Sequence, residues 1–191
     1  MKRLLALGTM FFLVLGFQNC SQSSLQDSTL AGADVTVNLP SGSGNTVNDK
    51  SVGKVTYVEI PNVINDFSVQ QKAGEIYRLV ISVNSGEIQA VDDTNSLLEK
   101  RCLSAEHLQE LKTILAGSSV CEAAKPAADQ CAMRYKAAYA SLFVNEKRLN
   151  LGEELDSCGR GRKDLCGGAT DVFKAYLDFV KQHWDQMECA E

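Results

Sequence analysis

Histidine is nearly absent: the 191 residues include only His107 and His183. A zinc centre wants three or four ligands, usually with close-spaced cysteine or histidine pairs. Here the shortest step between cysteines, from Cys158 to Cys166, is eight residues, so no metal or cofactor is expected. The G-x-S-x-G elbow, the P-loop and the H-E-x-x-H zinc signature are missing as well, which removes the common hydrolase and nucleotide-binding chemistries. Basic residues are in deficit. Without Lys2 and Arg3 the 19 basic residues fall to 17 against 24 acidic ones, a net charge of −7. No basic face is then expected to track a phosphate backbone, and nucleic acid is not a partner. The longest uncharged apolar run, Leu4 to Phe17, has 14 residues. A bilayer-spanning helix needs roughly 20.

That run is nevertheless the most informative stretch present. Lys2 and Arg3 precede it and FQNC follows it, ending at Cys20. A basic start followed by a short apolar region is an export signal. A cysteine directly after the apolar region resembles the lipobox of bacterial lipoproteins. Phe17, Gln18 and Asn19 stand where that family has Leu, a small residue and Gly or Ala. FQNC is similar to the variant lipoboxes of predatory Gram-negative bacteria. The resemblance implies cleavage after residue 19 and acylation of Cys20 with diacylglycerol and an amide-linked chain such as palmitate. Ser21 implies sorting to the outer membrane. Several buried acyl chains, at roughly 0.8 kcal/mol per CH₂, make a durable anchor. The competing reading is simple secretion with cleavage after Ala31-Gly32-Ala33, which lies far beyond the apolar run.

Removing Cys20 from the seven cysteines leaves six: Cys102, Cys121, Cys131, Cys158, Cys166 and Cys189. An even set in an oxidising compartment reads as three disulfides; the alternative is buried free thiols. Six cysteines allow 15 pairings. Neighbouring positions favour Cys121–Cys131 and Cys158–Cys166, each closing a short loop. Cys102–Cys189 would then tie the cysteine-rich half end to end.

Residues 1–19 are therefore read as signal peptide, 20–50 as the lipidated cysteine and a tether, and 51–191 as one domain. The segment 21–50 holds six Ser, three Gly, three Thr and three Asn, too polar to offset its ordering entropy. As a coil it would reach about 30 Å. The alternative is an ordered strand through Val35 to Leu39. Lys54 to Ile60 is rich in β-branched and aromatic residues. Glu75 to Asn84 alternates, with Tyr77, Leu79, Ile81 and Val83 on one face, and Ser85-Gly86 turns it back through Glu87 to Val91. Ser104 can cap a helix carrying Leu108, Leu111, Ile114 and Leu115, which Gly117 stops. From Thr170, the positions of Phe173, Tyr176, Leu177, Val180, Trp184 and Met187 mark the buried face of a second helix. Residues 127–152 fit helix by their alanines and strand by their alternation. Strands are favoured, with a hairpin turning at Asn145-Glu146. The fold class is α+β: a small antiparallel sheet or hairpins packed with two amphipathic helices and stapled by disulfides.

One segment could contact a ligand. In SCGRGRKDLCGG, Arg160, Arg162 and Lys163 lie among glycines between Cys158 and Cys166. A bridge between those cysteines would make a closed cationic loop, suited to carboxylates and phosphates. Lipopolysaccharide phosphates, peptidoglycan stem carboxylates and acidic protein surfaces are such partners. A solvated loop is the plain alternative. The acid pairs Asp92-Asp93 and Glu153-Glu154 are the nearest thing to glycosidase carboxylates, but neighbouring acids usually belong to solvated surface. The hairpin from Tyr77 to Ile81 with Gly86, followed by LSAEHLQELKTIL, resembles small bacterial protease-inhibitor domains; this implies an inhibitory role.

The expected protein is an envelope lipoprotein, held at the outer membrane by its lipid, with a non-catalytic binding domain for an anionic ligand or a protein. An enzyme acting on peptidoglycan or polysaccharide, or a structural envelope component, is the alternative. Unreduced native protein should give a triacylated peptide beginning at Cys20 and a domain mass six hydrogens short of the reduced form. A chain beginning elsewhere with free thiols would overturn the lipoprotein reading.

Overall fold

The computed structural model describes residues 34–39, 52–61, Val63, 76–123, 131–159 and 161–189. The expected signal peptide, Cys20, residues 40–50 and Arg160 lie outside them. Eleven strands and two helices are described: β1 Thr36–Asn38, β2 Val52–Ile60, β3 Arg78–Ser82, β4 Glu87–Val91, β5 Leu97–Cys102, α1 Ala105–Leu115, β6 Val120–Glu122, β7 Met133–Lys136, β8 Ala140–Val144, β9 Lys147–Leu151, β10 Glu154–Asp156, β11 Lys163–Leu165 and α2 Ala169–Gln182. A 3₁₀ turn at Trp184–Gln186 follows α2. The fold is α+β and mainly antiparallel, with three disulfides. Among the described residues no helix is long and apolar enough to cross a membrane.

The main sheet runs β5-β4-β3-β2-β8-β9, with β1 added to the start of β2. Alternation explains which side faces the core. Leu79 and Ile81 of β3, Ile88 and Ala90 of β4, Leu142 of β8 and Leu151 of β9 are fully buried. They share one apolar cluster with Leu111 and Leu115 of α1, Phe173, Leu177 and Val180 of α2, and Trp184. Ser104 caps α1 as expected, its Oγ accepting the His107 amide at 3.2 Å. Gly117, with φ +73°, follows the end of that helix.

One boundary needs correcting. The compact unit begins at Asp34, inside the expected tether. Thr36 to Asn38 pair antiparallel with Val52 to Lys54, and Val35 and Val37 are buried. The polar composition of 20–50 hid this short apolar alternation, which burial against the sheet is sufficient to order.

The second half of the chain is a set of nested antiparallel pairs. The hairpin β8–β9 turns at Asn145-Glu146, with φ +48° and +66°, as a two-residue hairpin with both positions left-handed. Outside it β7 pairs with β10, and outside that β6 pairs with β11. This nesting decides the cysteines. Cys121 is bridged to Cys166 and Cys131 to Cys158, while Cys102 is bridged to Cys189. The expected Cys121–Cys131 and Cys158–Cys166 pairs do not form, because each would join residues on the same arm of the ladder instead of across it.

Two substitutions at positive φ should act in opposite directions. Glu146→Gly relieves a left-handed non-glycine residue and should raise stability by about 1 kcal/mol. Gly152, at φ +74°, has no room for a side chain: a Cβ would lie 2.5 Å from the Tyr139 ring. Gly152→Ala should cost about 2–4 kcal/mol. Urea midpoints at unchanged slope would report both, and equal midpoints for all three proteins would refute the account.

Candidate functional site

The segment expected to bind anions is built differently. Cys158 and Cys166 are bridged elsewhere, so no disulfide closes the loop between them. Arg162 is committed internally: its Nε and Nη2 donate to Asp164 Oδ2 at 2.8 and 2.6 Å, and its Nη1 donates to Glu154 Oε1 at 3.0 Å. Those contacts, Asp164 first, raise its pKa above the usual guanidinium value. Lys163 lies in β11 opposite Glu122, and its carbonyl accepts the Gly152 amide. Arg160 lies outside the described residues. Arg162 is therefore not a free cation: it ties Glu154 of β10 to Asp164 of β11.

Other sequence candidates also resolve into structural roles. Asp92 Oδ1 accepts the Thr94 amide, the Thr94 hydroxyl and the Ser96 amide. These bonds, led by the hydroxyl, hold its carboxyl below the usual range. It organises the β4–β5 turn. Glu154 meets Lys136 and Arg162. The two histidines converge on Phe179, each with its ring centroid 4.5 Å from the phenyl centroid and tilted by 56° (His107) and 30° (His183), so both rings pack against the same phenyl. Cys131, Asp156 and Cys158 are the one group within metal-ligating distance among the described residues, but the two sulfurs are spent in the bridge.

The site that the fold does build lies on the sheet face opposite the helices. Alternation turns Glu59 of β2 away from its buried neighbours Val58 and Ile60, and turns Ser141, Arg148 and Asn150 away from Leu142 and Leu151. Register then lines them up: Glu59 is opposite Ser141, and Ser141 is opposite Asn150. Glu59 is only 4% exposed and Ser141 fully buried, so both need partners. Arg148 Nη2 donates to Glu59 Oε1 at 2.7 Å, and its Nε donates to Ser141 Oγ at 3.1 Å. The Ser141 hydroxyl donates to Asn150 Oδ1 at 2.8 Å. Asn150 Nδ2 donates to Glu153 Oε2 at 3.1 Å, and Tyr135 OH to Glu153 Oε1 at 3.4 Å. Six polar side chains thus form one connected chain.

All of this chain except Ser141 lines a recess of about 250 Å³, together with Arg78 and Tyr77. Groups held in place by their neighbours can recognise a ligand without first being ordered. Sequence reasoning singled out Glu153, but as a solvated acid, and passed over Glu59, Arg148 and Asn150. The available signal was Glu59, a lone acid within the otherwise apolar end of KVTYVEI.

No protein-family model, curated protein or solved structure matches this chain.

Beneath the ladder, Tyr139 OH donates to Asp164 Oδ1 at 2.9 Å. Burial first, and then Asp164, raise its pKa above the ordinary tyrosine value; burial, and then Glu110, do the same for Tyr176. Such a phenol keeps its proton in the fold after the unfolded chain has lost its own near pH 10. The native state then binds more protons, so this stability is complete below about pH 10 and is lost as pH rises further. Tyr139→Phe should flatten that loss: its urea midpoint should fall less than the wild type's between about pH 9 and about pH 11. Parallel declines would remove Tyr139 from the linkage.

Proposed function

We propose that this chain is an envelope-anchored lipoprotein whose domain is a non-catalytic binding module, with the recess of the open sheet face as its contact site. The observation that carries the reading is the buried Glu59–Arg148–Ser141–Asn150 chain. Desolvating a carboxylate on a sheet face is costly, whereas an exposed charge there costs little. A face that serves only for solubility needs no such burial. The export signal and Cys20 supply the location: the lipid anchors the chain at the outer membrane, and the domain meets its ligand there. The disulfide-stapled α+β domain, whose helices share an apolar cluster with the main sheet, carries the recess.

A second reading, docking on a protein in the manner of an inhibitor, is favoured by the β7–β10 ribbon. Met133, Tyr135 and Leu155 there are 86%, 67% and 57% exposed, which is unusual for large apolar side chains grouped on one element.

Co-sedimentation of the intact protein with purified envelope fragments tests the primary reading. Wild type should sediment with the fragments. Tyr135→Ala and Glu153→Gln should each weaken retention about tenfold, equivalent to roughly 1.4 kcal/mol. A wild type that stays in the supernatant, or variants retained equally, would sink it. Loss with Tyr135→Ala and Met133→Ala but not with Glu153→Gln would move the contact to the ribbon.

A further inference from the structure

We propose that the recess is a receptor for a small zwitterion, a carboxylate and an ammonium on one molecule of amino-acid or dipeptide size. The inference rests on the binding reading above and adds the ligand class.

The charges of the lining carry the argument. Glu59 and Arg148 neutralise each other at 2.7 Å. Two charges remain. Arg78, at the start of β3, has no ion-pair partner among the described residues, and its Nε is buried with no hydrogen-bond acceptor. Arg101 Nε and Trp184 Nε1 are likewise buried without a partner; what marks Arg78 is that its side chain lines the recess and no carboxylate meets it among the described residues. Glu153 receives bonds only from neutral donors, Asn150 Nδ2 and Tyr135 OH, and no cation meets it among the described residues. One unmatched cation and one unmatched anion thus share the wall of a single recess.

Each simpler ligand fails on one of the two. A phosphate or simple carboxylate would suit Arg78 but face Glu153, and like charges in a partly desolvated site repel. A simple amine would meet the reverse problem. A zwitterion satisfies both ends: its carboxylate takes the planar donor fork of Arg78, and its ammonium donates to the free lone pairs of Glu153. Size agrees. At about 250 Å³ the recess falls below the roughly 300–1,000 Å³ of sites for drug-sized ligands. Tyr77 and Tyr135 add aromatic surface to the lining. Free amino acids and exposed peptide ends share this chemistry.

Calorimetric titration of the intact protein with four probes tests it: glycylglycine, N-acetylglycylglycine, glycylglycinamide and free glycine. Glycylglycine should bind, and capping either end should weaken it by at least about tenfold, the loss of one charge-assisted contact. Glycine binding as well as glycylglycine would assign the site to free amino acids; weaker glycine would assign it to peptides. Glu153→Gln should make the acetylated and free dipeptides equal, and Arg78→Gln should make the amide and the free dipeptide equal. The capped probes need no variant, so a misfolded mutant cannot mask the result. Equal binding of all probes, or no binding at millimolar concentration, overturns the inference. If co-sedimentation remains recess-dependent in that case, the binding reading stands and only the ligand class falls.

Discussion

Lys54 and Asn145 hold each other twice. The Lys54 amide donates to Asn145 Oδ1 at 2.9 Å, and the Asn145 amide donates to the Lys54 carbonyl at 3.0 Å. Asn145 tolerates the left-handed backbone of the turn while offering a side-chain oxygen to β2. These two bonds hold the tip of β8–β9 against the start of β2, and an irregularity between Val55 and Tyr57 then sets the register in which Val58 meets Leu142 and Glu59 meets Ser141. A slip of one residue would turn every side chain of β8 to the other face. Leu142 would leave the core, and Ser141 would enter it. Core and recess are therefore two sides of one register.

The polar side of that register is unusual in being partly buried. Glu59 and Ser141 are buried, and both accept from Arg148, which itself remains partly exposed. Removing one member would strand its neighbours without partners, so the chain of bonds holds the site's shape as well as its charge. Glu153, a member of that chain, and Arg78, which stands outside it, both line the recess. A network that satisfies its centre and leaves complementary charge at its margin is suited to recognition.

The disulfides serve the same geometry. β6, β7, β10 and β11 have only three or four residues each, and isolated two-stranded ribbons of that length are marginal in water. β7 is exposed along its whole length, so hydrophobic burial contributes little to it. Cys131–Cys158 and Cys121–Cys166 cross-link the arms and restrict the unfolded chain instead, each worth roughly 2–4 kcal/mol. Tyr135 is thereby held beside the recess by a covalent staple in place of a core. At the other end, Cys102–Cys189 and the Arg101 bond to the Met187 carbonyl fasten the segment that follows Trp184 to β5.

Local pattern determined the elements whose residues report their own environment. The alternation of KVTYVEI and of Tyr77 to Val83 marked β2 and β3, the helical stripes with Ser104 and Gly117 marked α1 and α2, and Asn145-Glu146 marked the hairpin. The basic start, the apolar run behind it and the odd cysteine count are likewise written in sequence. Short strands such as β6 and β11 carry too few residues for a period to show, and only pairing reveals them. The hairpin centre at Asn145-Glu146 already implied that cysteines at similar distances on either side would face each other; nearest-neighbour pairing overlooked it. Glu59, Ser141, Arg148 and Asn150 come from three strands, up to 91 positions apart in the chain, and each alone reads as an ordinary polar residue on a strand. Register brings them together, because hydrogen bonding across strands fixes which residues face one another, and that is a property of the folded sheet and of no single segment.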